Sequence, residues 1–333
     1  MTQLPEMVQA LLEVKAYPDT PQGVEMVQTQ MSFVFLADDY VYKVKKPVNL
    51  GFLDYTTLDK RHFFCQREVE LNQRLCREVY LGVVPITQDK GDILIDGRGK
   101  VIEYAVKMRR LPQEAMMDVL LVNNQVSPEM VISVAQKLAE FHQKAETSAT
   151  ISAFGNLDTI TKNTEENFSQ TEKYIGNTIT RDRYQHIKNY TDSFIEGHIP
   201  LFNKRVADGR IKDCHGDLHA AHICFHNGID IYDCIEFNDR FRYCDVASEV
   251  AFLAMDLDHY QRTELSRSFI TAYISKSQDN ELSQLLNFYK CYRAYVRGKV
   301  ESFKLDDPHI PDEEKAVILA VAKRYFELAE SYV

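Results

Sequence analysis

Cys214-His-Gly-Asp-Leu-His-Ala-Ala-His-Ile-Cys-Phe-His226 is the stretch on which the reading of this chain turns. It gathers six histidine and cysteine side chains around one carboxylate, Asp217, within thirteen residues. Seven residues further on, a second carboxylate, Asp233, closes the apolar strand pattern Ile229-Asp-Ile-Tyr232. On both sides the spacing of apolar residues is helical. Upstream, Ser127-Pro-Glu opens a helix through Val131, Val134, Leu138 and Phe141, with Ser as N-cap, Pro at the first helical position and an acid in the first turn. Ile151 to Gly209 is polar and rich in Asn, and reads as two helical pieces. Downstream, residues 246–333 are helical, with one helix over Glu281 to Leu305 and a last one opening at Pro311-Asp-Glu-Glu. Residues 211–245 are therefore a loop-and-strand insert in a helical half.

The first 112 residues have another texture. Val24 to Gln28, Phe33 to Ala37 and Tyr40 to Lys45 are strand-like runs, the last two separated by Asp38-Asp39, and predict an antiparallel three-strand meander. After a loop containing Gly51, Leu58 to Arg77 places Phe64, Leu71 and Leu75 at helical spacing among charges and predicts one long helix. Strands Val79 to Ile86, Asp92 to Ile95 and Val101 to Met108 follow, and Pro112 ends the block. The expected fold is α+β and two-lobed. A small antiparallel-sheet lobe with one helix occupies residues 1–112, and a larger, mainly helical lobe occupies 113–333.

Composition narrows the function. The 333 residues carry 39 Lys+Arg against 49 Asp+Glu, a formal net charge of −10, and the densest basic run is Lys43-Val-Lys45-Lys46. Such a balance repels a phosphate backbone and argues against nucleic acid as a partner. No apolar run approaches the roughly 18 residues of a membrane span, and Glu6 and Glu13 spoil the N-terminal stretch as a signal peptide, so the expectation is a soluble cytoplasmic protein. Seven Cys, an odd number in a chain large enough to need no staples, fit reduced thiols.

The motif then suggests chemistry. The protein-kinase catalytic loop has the form H-R-D-L-x-x-x-N, followed by a short hairpin and a cation-binding Asp. His215-Gly-Asp217-Leu218 occupies its first four positions, with Asp233 downstream. A loop carboxylate can accept the proton of an attacking hydroxyl while a second carboxylate holds cations that bridge a nucleotide's phosphates. Such a site also needs a Lys on the third strand and an orienting Glu on the next helix. Lys43 and Lys45 share a strand face by their period of two, and Glu68 and Glu70 lie on the helix. Lys43 with Glu68 is the preferred pair, because Lys43 interrupts the apolar run first.

His215-Gly-Asp-Leu-His219, Ile231-Tyr-Asp233 and Asp245-Val-Ala247 together resemble the aminoglycoside phosphotransferase and choline-kinase-like family, whose loop reads H-G-D-L-H-x-x-N and whose later segments read I-D and D-L-A. Val41-Tyr-Lys-Val-Lys-Lys-Pro-Val-Asn-Leu-Gly-Phe-Leu-Asp-Tyr55 and Ile235-Glu-Phe-Asn-Asp-Arg-Phe-Arg-Tyr243 are similar to a bacterial branch often fused to a C-terminal P-loop ATPase domain. The resemblance runs from about Val24 onward and implies a protein-kinase-like fold, with 213–226 as catalytic loop and 229–245 as metal-binding segment. It implies ATP or another nucleoside triphosphate, Mg²⁺ or Mn²⁺, and a small-molecule hydroxyl acceptor. Asp217 would be the catalytic base, Asp233 the metal-binding acid with Glu236 as a further ligand, and Lys43 or Lys45 the phosphate-pairing lysine with Glu68. Asp245 would brace the loop with His215, and the connector at Met108 to Pro112 would meet adenine. Two departures stand out. No G-x-x-x-x-G-K-[ST] occurs, so a stand-alone form is expected, with any ATPase partner a separate chain. The family's Asn five residues after the base is His222, whose imidazole suits softer cations than an amide oxygen does, unless one metal site is lost. A Gly-rich phosphate loop is also missing after the first strand, which leaves Ser32 and backbone amides for that task.

Plainer readings stand beside these. Strand lysines are common at solvated edges, and helical acids commonly face water. His219 is a candidate substrate contact or a loop histidine satisfying backbone groups. Arg293 and Arg297, four apart on one helix, could meet a substrate anion or simply pack their stems on aromatics. The His/Cys cluster 214–226 invites a zinc-binding reading, yet it contains no C-x-x-C pair or H-x-x-x-H. A nucleotide-binding regulatory module without turnover is the second functional reading, motivated by His222 and the missing Gly-rich loop.

Overall fold

The computed structural model describes residues 4–333. They form two compact units, one made of the chain up to Val119 together with Ala221–Asp239, the other of Leu120–Ala220 and Arg240–Val333.

The first unit is built on six antiparallel strands: β1 (Val24–Gln28), β2 (Ser32–Ala37), β3 (Tyr40–Lys45), β4 (Tyr80–Asp89), β5 (Asp92–Ile95) and β6 (Lys100–Arg109). Their order across the sheet is β1-β2-β3-β6-β4-β5. The β2–β3 turn matches expectation, with Asp38 in the left-handed region at φ 49°, where an Asp is better tolerated than most residues. Alternation then sorts the side chains. Phe33, Phe35, Tyr42 and Val44 pack with Ile86, Ile93, Ile95 and the N-terminal Val8 and Leu11 on one face. Lys43 and Lys45 leave β3 on the opposite side, where the Leu58–Asn72 helix packs through Cys65 against Val106 and Met108.

That helix is shorter than its periodicity predicts. Thr57 caps its start by accepting the Lys60 N–H at 3.3 Å. It stops at Asn72, whose amide bonds back to the Glu68 carbonyl at 2.8 Å and whose Oδ1 receives the Cys234 N–H at 2.8 Å. An Asn side chain that competes for backbone groups in this way is a poor helix continuer.

The hairpin of Ile223–Cys224 with Asp230–Ile231 joins the sheet unit rather than the helical half in which its sequence position places it. Backbone pairing is the reason. Cys224 bridges Met116, and the Phe225 N–H donates to the Ala115 carbonyl at 2.9 Å.

The second unit is helical. Ser127 caps Pro128–Lys144 as expected. The stretch after Ile151 is broken more often than two pieces, into Leu157–Thr171, Arg181–Gly197 and Ile199–Ala207 besides a short turn. Gly176, at φ 89°, and the Thr180 cap, which accepts the Arg183 N–H, separate the first two. The central helix is Val246–His259, in which every residue from Val246 to Leu257 is buried. Around it lie Thr263–Ser277, Leu282–Lys304 and Asp312–Glu330. Strand Ile211–Asp213 pairs with Tyr243–Asp245 and leads into the 214–220 loop. Among the described residues no helix is long and apolar enough to cross a membrane.

Candidate active site

In the sheet unit, both β3 lysines reach the same helical acid. Lys43 Nζ lies 2.9 Å from Glu68 Oε1 and 2.6 Å from Asp233 Oδ1. Lys45 Nζ lies 2.6 Å from Glu68 Oε2, is bonded to Glu236 Oε1, and is 3.4 Å from the Tyr55 hydroxyl. Tyr55 in turn donates to Glu236 Oε1 at 2.6 Å. Glu68 is buried, whereas Glu70 lies on the exposed face of the helix. Burial opposes the charge on each lysine. The carboxylates around them prevail, Asp233 first for Lys43 and Glu236 first for Lys45, so both ammonium groups titrate well above the ordinary lysine range. Burial would likewise raise Glu68, but Lys43 and Lys45 hold it below its usual value.

Asp233 sits in a left-handed backbone conformation at φ 62°, just past the hairpin, and its N–H meets the Tyr80 hydroxyl at 3.3 Å. Its carboxylate is 40% exposed, with Oδ2 3.6 Å from His222 Nε2. One exposed carboxylate beside one imidazole is a donor set that suits a divalent cation of borderline softness. Ser32 is buried on β2, opposite Lys45 in register, and its N–H donates to Thr29 Oγ1 at 3.0 Å. Met108 is buried on β6 opposite Val41, among Cys65, Val79 and Tyr80.

In the helical unit, the 214–220 loop hangs from the central helix by two carboxylates. Glu249 Oε1 accepts the N–H groups of His215 and Gly216, each at 2.7 Å. Two turns later Asp256 Oδ2 accepts the Ala220 N–H at 2.8 Å. Gly216 has φ 90°, a region that a side chain would strain. His215 is fully buried, and its Nδ1 accepts the Asp217 N–H at 3.3 Å. Between these anchors the Asp217 side chain keeps a third of its surface exposed, and His219 Nε2 lies 3.6 Å from its Oδ2. Burial works against protonation of His219, yet Asp217 raises its pKa above the ordinary histidine value.

The remaining candidates have structural company. Arg293 donates to the Gly216 carbonyl at 3.2 Å and to Ser248 Oγ at 3.1 Å, with its guanidinium over the Phe252 ring. Arg297 lies over Tyr325 and 3.6 Å from Glu301. Asp245 caps its own helix at Ala247 and takes two hydrogen bonds from buried Arg205, at 2.9 and 2.6 Å; its link to the loop runs through the strand pair with Ile211. Cys214 and Cys224 are both buried. His142, Cys214 and Glu249 approach one another closely, but the two His142 nitrogens are taken by Glu249 and the Tyr273 hydroxyl, at 2.7 and 2.8 Å.

Sequence reasoning missed Glu249, His142 and Tyr273, and did not connect Asp256 with the loop. One signal was available. In Val246-Ala-Ser-Glu-Val-Ala-Phe-Leu-Ala-Met-Asp256 two acids interrupt an otherwise apolar helix, and acids are rarely buried without a specific partner.

No family model matches the sequence. Uncharacterized proteins of Mycobacterium tuberculosis and Mycobacterium bovis are each 33% identical to it over 288 residues, which is 86% of this chain and 56% of theirs. The chain thus spans about half the length of these curated relatives. Among solved structures, a choline/ethanolamine kinase family protein from Mesorhizobium loti aligns with 98% of this chain and 100% of its own, at 11% identity and a TM-score of 0.50. The fold is that of the choline-kinase-like group. A putative aminoglycoside phosphotransferase from Ralstonia eutropha is also similar, with a TM-score of 0.49, 12% identity and 93% of each chain covered. The kinase-like α+β architecture expected from the motif is therefore the one observed.

Proposed function

We propose that this kinase-like chain is a phosphotransferase that moves the γ-phosphoryl group of a nucleoside triphosphate, ATP in the first instance, to a hydroxyl of a small molecule. The observation that carries the reading is Lys43, a strand lysine ion-paired with the helical acid Glu68 and hydrogen-bonded to Asp233 after the hairpin. That is the arrangement a phosphate-pairing lysine needs beside a cation-binding acid. Asp217 would take the proton of the acceptor hydroxyl as its oxygen bonds to phosphorus and the nucleoside diphosphate leaves. Anchored peptide groups on either side of Asp217 hold the carboxylate in place, and positioning is most of what phosphoryl transfer asks of a protein. Asp233 and His222 would hold the divalent cation, Mg²⁺ or Mn²⁺, which neutralises phosphate charge when bound.

The turn before β2 favours a second reading. Thr29 to Ser32 is closed on itself by Thr29 Oγ1, which accepts the N–H groups of Met31 and Ser32, and it offers no glycine-rich cradle. On that reading the chain binds nucleotide and regulates a partner, such as a separate ATPase chain. One experiment decides between them. Calorimetry with ATP and Mg²⁺ or Mn²⁺, followed by labelled-phosphate transfer to a panel of hydroxyl compounds, should show binding and turnover. Asp217→Asn should abolish transfer while leaving nucleotide affinity and melting temperature near wild type; turnover retained in that variant would falsify the role of Asp217. Binding without transfer across the panel favours the regulatory module.

A further inference from the structure

The two lysines of β3 differ in what they have left to offer. Lys45 is 1% exposed, and an ammonium has three N–H donors. All three have acceptors here: Glu68 Oε2, Glu236 Oε1 and the Tyr55 hydroxyl. No proton remains for a phosphate. Lys43 is 19% exposed and meets two carboxylates, so a third donor is free to meet an incoming anion.

We infer that Lys45 is a positioning residue: with Glu236 and Tyr55 it forms a buried clamp that holds Glu68 against β3 whether or not nucleotide is bound. Lys45 and its partners join three segments, with Glu68 on the helix 23 residues away and Glu236 beyond the hairpin 191 residues away. Because Lys45 occupies one Glu68 oxygen, the other faces Lys43 in a set geometry. Glu236 directs the same oxygen at Lys45 and at Tyr55, which assigns it to the clamp and leaves the cation to Asp233 and His222. The phosphate role of Lys43 rests on the function proposed above; the clamp does not.

Two sets of measurements test this. In thermal melts, Lys45→Met should lower the melting temperature by about 10 °C, since it strands buried carboxylates. Lys45→Met/Glu236→Met should regain at least half of that loss, because the stranded charge on Glu236 goes with its partner. A Lys45→Met variant that melts within about 2 °C of wild type, or a double variant no better than the single one, overturns the clamp. In binding, Mn²⁺ with a non-hydrolysable ATP analogue should bind Glu236→Gln within about threefold of wild type but bind Asp233→Asn at least tenfold more weakly. The double variant should still bind the nucleotide weakly despite its recovered stability, because Glu68 has lost its tether; this separates positioning from simple packing. If Glu236→Gln loses Mn²⁺ as Asp233→Asn does, Glu236 is a ligand and the assignment fails. If wild type binds no nucleotide, the proposed function fails, while the melts still decide the clamp.

Discussion

Replacing Glu249 by alanine should destabilise the helical unit by about 4 kcal/mol. The carboxylate accepts two backbone N–H bonds at 2.7 Å and meets His142 Nε2 at 2.7 Å, all without solvent. Each buried N–H left unpaired costs about 1–3 kcal/mol, so the two together cost about 2–6 kcal/mol. Losing the hydrogen bond to His142 adds to this and water entering the space alanine leaves recovers part of it, so a value near the middle of that range, about 4 kcal/mol, applies. The same contacts viewed through proton linkage give a similar figure. Burial pushes the Glu249 carboxyl up, but its contacts with His142, His215 and the Gly216 N–H hold it at about 2 against an ordinary 4.5. A difference of that size corresponds to about 3 kcal/mol. With about 195 residues in the unit, unfolding entropy near 0.4 kcal/mol per kelvin converts 4 kcal/mol into a melting shift of about 10 °C. The assay is a set of thermal melts of wild type, Glu249→Ala and Glu249→Gln from neutral to acid pH. Because the folded-state pKa is depressed, the contribution of Glu249 is complete above pH 4.5 and drains away as pH falls towards 2. The gap between wild type and Glu249→Ala should therefore be widest at pH 7 and narrow across that window, with Glu249→Gln in between. A Glu249→Ala protein that melts within about 3 °C of wild type at pH 7, or a gap that does not change with pH, refutes the argument.

Two further outcomes follow from other sites. Lys299 is partly buried and bonds to two amide oxygens, Asn167 Oδ1 at 2.6 Å and Gln170 Oε1 at 2.8 Å; burial lowers its pKa to about 8, Glu166 only partly opposing and Arg240 adding to the effect. Its acylation rate, followed by mass spectrometry against pH, should show a midpoint near 8, and a midpoint above about 10, the usual lysine value, counts against this environment. Of the seven cysteines, Cys65, Cys76, Cys214, Cys224, Cys234 and Cys291 are buried and Cys244 is partly so, and burial raises Cys65 and Cys291 to about 12. A thiol reagent should label at most one site quickly in native protein and all seven in denaturant; rapid labelling of three or more would show that the packing is wrong.

Local pattern carried much of the architecture. Short strand-like runs and the Asp38-Asp39 turn located the β1–β3 meander, and the Ser127-Pro-Glu start signals located their helix. Even the choice between Glu68 and Glu70 left a trace, since Cys65, Glu68 and Asn72 share the buried helical stripe at i, i+3 and i+7. That stripe was obscured because a buried Glu and a buried Asn read as polar.

Periodicity, turns and the residue types of the 214–233 segment are written in the linear chain. Those depend on backbone sterics and on neighbours a few residues apart. Chain closure alone brought both lysines to Glu68, turned Glu236 towards Lys45, paired the hairpin with residues 115–116 and hung the 214–220 loop from Glu249. Each of these joins groups from 23 to 191 residues apart, and their partners are chosen by the need to satisfy every buried charge and N–H once the chain has closed on itself.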